Sequence, residues 1–339
     1  MSRSYRLLKS IQVPPANPES FDFSWIDSES QRYYLTDRTN KSVDVLDTDS
    51  ETFVKSIGGF VGFTGKGEDS GPNGLEALPA LNQLWAGDGD SSVKMIDTSA
   101  DSIGASVSTG GKKRVDLLAC DPRHKIVMAI NDKDSPPFLT FISLDDLTVM
   151  GRLECHDVTF GPEQPVWNDE EGAFYMAATQ TKGKPGGEVY VIDPVKMEIV
   201  KTFDSGGCAP VGLALGPNHN VFLGGGGLGV GPTVQSKSAV LDARDGHLIA
   251  SIPQVGGIDQ AWYNPGDKRF YSAASAMTSD GTSAGVPTPV MGVVDASTNS
   301  WVVNVPTGRG AHSITANSRN NHIWTPVKGS GIAIFADTD

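Results

Sequence analysis

The sequence predicts an all-β protein, a seven-bladed β-propeller whose N-terminal strand completes the last blade. Three observations carry this. A short apolar strand ending in Asp, Asn or Gly recurs about every 48 residues. Between its copies lies a two-strand unit with a fixed turn signature. The chain also runs one strand short at its C-terminus and has one to spare at its N-terminus.

The seven copies of the first strand are DFSWID from Asp22, NGLEALP from Asn73, DLLACDP from Asp116, QPVWNDE from Gln164, VGLALGP from Val211, DQAWYNP from Asp259 and HSITANS from His312. Successive starts are 51, 43, 48, 47, 48 and 53 residues apart, and the step from His312 through the termini to Asp22 is 49. Such spacing suits four-stranded blades around an axis. The turn signature is SVDVLDT at Ser42, SVKMIDT at Ser92, GEVYVIDP at Gly187, SAVLDA at Ser238 and MGVVDA at Met291. An apolar run followed by Asp and a small or turn-forming residue predicts two antiparallel strands joined by a tight turn. After His312 there is room for three strands, Ser313–Ala316, His322–Pro326 and Gly331–Ala336, so the last blade, about 310–337, lacks its outer member. Tyr5–Val13 supplies it, making one domain over 1–339 and leaving no open sheet edge between the ends.

Composition agrees. The 39 Gly and 21 Pro fall between short apolar runs, which favours many turns over long helices. The net charge of −13 opposes binding to nucleic acid or to an anionic membrane surface. No apolar run reaches the roughly 20 residues that span a bilayer. The N-terminal stretch has no apolar segment of signal-peptide length, and the three cysteines show no CxxC spacing. A cytoplasmic protein without disulfides is expected.

The units YYLTDRTNKSVDVLDT and LWAGDGDSSVKMIDT resemble those of the YVTN-repeat propellers. That resemblance implies the architecture and says little about activity, because propellers host unrelated functions.

A functional site is expected at the upper end of the channel, where inner strands begin. Loops there are long in the later blades: 131–138, 179–188, 224–238 and 275–289, with 58–74 leading into blade 2. Loops accept length cheaply, so tolerated insertion is the competing explanation. Beneath them Asp22, Asn73, Asp116, Gln164, Asp259 and His312 converge, flanked by Glu163 and Gln260. Three chemistries can use that ring. Asp22, Asn73 and Asp116 offer oxygens to Ca²⁺ or Mg²⁺, a placement similar to the central metal of gluconolactonase-type propellers. His312 and Asp259 form a candidate acid–base pair, with Arg309 stabilising developing negative charge; the run AHSIT resembles an inner strand of virginiamycin B lyase. Gln164, Glu163, Gln260, Arg38 and His156 are the candidate substrate-binding residues. The expected function is a lactone or ester hydrolase, or a lyase, acting on a small organic molecule. The alternative is a propeller that binds a ligand or protein partner without turnover.

Other features are assigned ordinary roles. Cys155, His156 and Cys208 match no zinc spacing, and the GGGG run at 224–227 opens no helix and has no GK[ST]. Trp25, Trp167 and Trp262, at equivalent places in their strands, are expected to pack between blades.

Overall fold

The computed structural model describes residues 4–226, 236–281 and 284–338. Seven four-stranded antiparallel sheets form the predicted ring. Blades 1 to 6 run Phe21–Gly58, Leu75–Ser108, Leu118–Glu154, Val158–Asp204, Pro210–Ile252 and Ala261–Pro306 in plain up-and-down order. In blade 7 the strands Thr315–Ala316, Ile323–Val327 and Gly331–Asp337 are completed by Tyr5–Ile11. That strand pairs antiparallel with the last one, from Tyr5 opposite Asp337 to Ile11 opposite Ile332.

The turn signature has a direct physical basis. Asp47 Oδ1 accepts the backbone N–H groups of Asp49 (3.1 Å) and Ser50 (2.7 Å). Asp97, Asp193 and Asp295 repeat this capping of the two following N–H groups. The residue that re-enters the next strand then takes positive φ: Glu51 at 52°, Asp101 at 50°, Met197 at 57° and Asn299 at 55°. A bulge follows in each of these four hairpins. This is a four-residue hairpin loop closed by a left-handed residue and followed by a bulge, and the short acceptor side chain stabilises it. Asp27, Asp121, Asn168 and Asn317 cap the turns between inner and second strands in the same way.

Middle strands are packed on both faces by neighbouring blades, so they read as continuous apolar runs; Ile126–Asn131 is buried throughout. Outer strands face solvent on one side and alternate, as in Thr52–Gly58. Between blades, Phe222 stacks on Phe270 with ring centroids 5.1 Å apart, and Tyr33 on Trp324 at 5.2 Å. Each such buried ring contributes about 1.5–3 kcal/mol of transfer free energy.

Blade 4 departs from the sequence expectation. Its inner strand begins at Val158 rather than Gln164, and with Ala173–Thr181 it forms a hairpin whose strands, at 11 and 9 residues, are longer than those of the other blades. Pairing slips between Pro162 and Pro165. Neither proline can donate to the ladder, and the bulge between them re-aims Glu163 and Gln164.

Candidate functional site

The upper end of the channel holds a cavity of about 490 Å³. Asp22, Asp116, Gln164, Val211, Asp259 and His312, six of the seven expected inner-strand starts, line it with Glu163, Gln260 and Arg38. Arg114, Phe21, Phe160 and Lys328 line it too and were not anticipated.

Two arginines organise the charge. The first, Arg38, lies 2.8 Å from Asp22 Oδ2 and donates to Asn73 Oδ1 from Nε (2.9 Å) and Nη2 (2.6 Å). Asn73 is fully buried, and its Nδ2 donates to the carbonyls of Ser70 (3.0 Å) and Val115 (2.7 Å). Its role is to seat Arg38. The second, Arg114, donates to Asp116 Oδ2 (2.8 Å) and to both oxygens of Asp132 (3.1 and 3.0 Å). Lys133 adds a contact to Asp132 at 2.7 Å.

One guanidinium cannot neutralise two carboxylates, and the pair divides accordingly. Burial alone would raise Asp132, but Arg114 and Lys133 outweigh it and hold the group below the usual carboxylate range. Burial pushes Asp116 well above that range, because Arg114 in contact and Lys133 farther off do not outweigh it together with the neighbouring Asp132 and Asp22. Glu163 is also well above it, first through burial and then through repulsion by Asp116, Asp132 and Asp259. Gly161, at φ +39°, lies where a Cβ would strike the Glu163 carboxylate, so the glycine leaves room for that rotamer. Asp259 is exposed to the cavity deep beneath the surface; desolvation raises it, and His312 partly offsets the effect.

His312 stacks on Phe21, ring centroids 4.5 Å apart and planes within 5°. Its Nδ1 lies 2.8 Å from the Gly310 carbonyl oxygen, which fixes the neutral ring's proton there. Nε2 is thereby left as the acceptor, 3.9 Å from Asp22 Oδ1. The closest carboxylate is therefore Asp22. His312 makes no ion pair or hydrogen bond to Asp259 among the described contacts, so the expected pairing changes partner.

The floor is made by two glutamines. Gln164 Nε2 donates to Ala261 O (3.0 Å), and its Oε1 accepts from the N–H groups of Leu213 (3.1 Å) and Ala261 (3.0 Å). Gln260 Nε2 donates to Ser24 O (3.0 Å), and its Oε1 accepts from Ser313 Oγ (2.5 Å) and Ile314 N (3.0 Å). These amides stitch blades 4, 5 and 6, and blades 6, 7 and 1, across the channel. Their polar atoms are committed to the ring.

Two expected site residues lie elsewhere. Arg309 is exposed and borders a separate depression near Pro289 and Pro306, because its segment follows the rim outward. His156 is exposed and pairs with Glu154 at 3.1 Å. Cys155 and Cys208 are buried, and burial pushes both thiols up to about 12. The expected divalent-cation set does not fit as arranged: Asn73 Oδ1 is filled by Arg38, and Asp22 and Asp116 each sit against a guanidinium. Among the described residues, the one group of three clustered metal-type ligands is Asp242, Asp245 and His247, in an outer turn. Part of the 224–238 loop, including Gly227, and part of the 275–289 loop lie outside the described residues. Loop 58–74 folds inward, its Glu68 and Asp69 holding Lys113 at 3.0 and 2.9 Å beside Arg114.

Comparison with solved structures shows the fold. A chain of Kuenenia stuttgartiensis hydrazine synthase is similar at 12% identity over 99% of each chain, with a TM-score of 0.73. A chain of the mitotic checkpoint complex is similar at 12% identity over 98% of this chain and 91% of that one, also with a TM-score of 0.73. Identity this low carries the seven-bladed architecture and no activity. No protein-family model and no curated protein matches the sequence.

Proposed function

We propose that the chain is a small-molecule enzyme working at the upper cavity by acid–base chemistry, as a lactone or ester hydrolase or as a lyase. The observation behind this reading is the pairing of opposite proton roles in one enclosed space. His312 offers an acceptor nitrogen at Nε2, while Glu163, Asp116 and Asp259 are carboxyls that burial biases towards the protonated form. In hydrolysis, Nε2 takes the proton of an attacking water and a carboxylic acid, best Glu163, protonates the leaving oxygen. In a lyase the same nitrogen removes a proton next to a carbonyl, and the acid assists departure of the leaving group. Arg38 and Arg114 replace Arg309 as the groups able to stabilise developing negative charge. The acidic surface suits a small polar guest and opposes polyanionic partners. The likeness to YVTN-repeat propellers, carried by the Asp-capped hairpins, bears on architecture alone.

Binding without turnover is favoured by one specific observation: Arg38 and Arg114 are already seated on internal partners, which gives a stiff, preformed socket. A panel of lactones, aryl esters and hydroxy acids, followed by product formation and by thermal shift, separates the two. Turnover that falls at least about 100-fold in both His312→Ala and Glu163→Gln supports the enzyme. Thermal stabilisation by a panel member without product supports the binding protein. Turnover unchanged in His312→Ala would refute the catalytic assignment.

A further inference from the structure

Beneath the glutamine floor the channel opens again, at the opposite face, into a cavity of about 440 Å³. Its walls are aromatic. Trp25, Trp167, Trp262 and Tyr263, from blades 1, 4 and 6, line it, and all four are only partly buried. Trp25 and Trp262 meet edge to face at 5.2 Å, with planes at 90°. They do so across blade 7, whose inner strand is the short Thr315–Ala316 pair. Packing, the role expected from the sequence, engages each indole through one aromatic contact, Trp25 with Trp262 and Trp167 with Phe174, and all three remain partly exposed. One acid stands among them: Glu76, from blade 2, lines the same cavity. The groups acting on its charge are burial and the Cys120 backbone N–H, and no cation is among them.

We propose that this lower mouth is a second binding site, for a small organic cation such as a quaternary ammonium group, with the indole and phenol rings as its cage and the Glu76 carboxylate as its counter-charge. The warrant is complementarity. Aromatic faces attract a cation through the ring quadrupole, the more strongly the less water stands between them. An acid in an apolar channel without a cationic partner gains when one arrives. Where Glu76 is ionised, a neutral apolar guest would leave its carboxylate without compensation, and an anion would be repelled by it.

Burial pushes Glu76 up to about 8. The cation favours the ionised form, so binding releases a proton and the affinity rises with pH through that value. A permanently charged probe isolates this effect, because only the protein then titrates. The test is calorimetric and tryptophan-fluorescence titration of the full chain with choline, beside its uncharged isostere 3,3-dimethylbutan-1-ol. Saturable choline binding is expected near pH 9, with the isostere at least about tenfold weaker. Between about pH 9 and pH 7 affinity should fall by up to about tenfold, as the ionised fraction of Glu76 drops from about ten-elevenths to about one-eleventh. Glu76→Gln preserves shape and should cost at least about tenfold; Trp262→Leu should weaken binding and Trp262→Phe should largely restore it. Several results would overturn the proposal: no saturation, equal affinity for the isostere, indifference to Glu76→Gln, or loss of binding in Glu163→Gln instead, which would seat the cation in the upper cavity.

Discussion

Replacing Arg114 by methionine removes one guanidinium and strands the Asp132 carboxylate beside Asp116, which burial already biases towards its protonated form. Asp116 and Asp132 together accept three hydrogen bonds from it, at 2.8, 3.0 and 3.1 Å, and both are buried. Breaking a buried pair by deleting one partner costs about 3–5 kcal/mol. Lys133 remains 2.7 Å from Asp132 and compensates in part, so the lower end of that range, about 3 kcal/mol, is expected near neutral pH. The pH dependence is sharper than the magnitude. In the wild type, Asp132 has a depressed folded pKa, so its contribution is present above the unfolded value of about 4 and lost as pH falls. In the variant both carboxyls lose their main cation and their folded pKa values rise. The folded state then binds the extra protons, and stability recovers as pH falls. The penalty should therefore be largest near pH 7 and shrink towards pH 5. Urea unfolding followed by tryptophan fluorescence at the two pH values measures it. Adding Asp132→Asn to the variant should restore at least about 1 kcal/mol, because the stranded charge is gone. A penalty below about 1 kcal/mol at neutral pH, or one that grows on acidification, would show that Arg114 does not neutralise this pair.

Gln164→Ala removes three buried hydrogen bonds that join blade 4 to blades 5 and 6, and should destabilise by about 2–4 kcal/mol in urea unfolding; a loss under about 0.5 kcal/mol would contradict its role as a staple. Deleting residues 1–12 uncovers the Gly331–Asp337 edge, and light scattering should report association together with a lower Tm; a monodisperse protein of unchanged Tm would refute closure by the N-terminal strand. Cys120, Cys155 and Cys208 are buried with raised thiol pKa values, so a disulfide reagent should label none of the three in the native state at neutral pH and all three in denaturant; rapid native labelling of any one would contradict its placement.

The fold was legible because its signals are local and repeated. An Asp that caps its own hairpin and a run buried on both faces leave the same trace in blade after blade, and the missing last strand announces itself by count. The site was legible only where it follows that period. Asp22, Asp116, Asp259 and His312 were found as inner-strand starts, and they do converge on the cavity. Arg114 was missed because it sits in a loop, outside any period; its signal was the basic run Lys112–Arg114 standing two residues before Asp116 in an acidic chain. The role of Arg38 was visible only in part, since its partner Asn73 is 35 residues away in the next blade. The glutamines misled for the same reason. A polar side chain at a channel position suggests a ligand, but Gln164 finds its partners 49 and 97 residues on, and Gln260 reaches Ser24 at a separation of 236. No pattern in one strand reports what the strand across the ring will offer.

Those two glutamines have a consequence for how the two cavities relate. Gln164 borders both spaces, with charged groups and His312 above it and the tryptophans and Glu76 below. Its amide is held at both ends by strand backbone, so it does not swing aside without breaking the stitches that set the spacing of blades 4 to 6. The channel is therefore two chambers with a fixed partition, and substitutions on one side should leave the other unmoved. Separated sites that share no partner behave additively, within about 0.5 kcal/mol. The combination of His312→Ala with Glu76→Gln should then show the effect of each single change in its own assay, whereas Gln164→Ala, which opens the partition, should couple them.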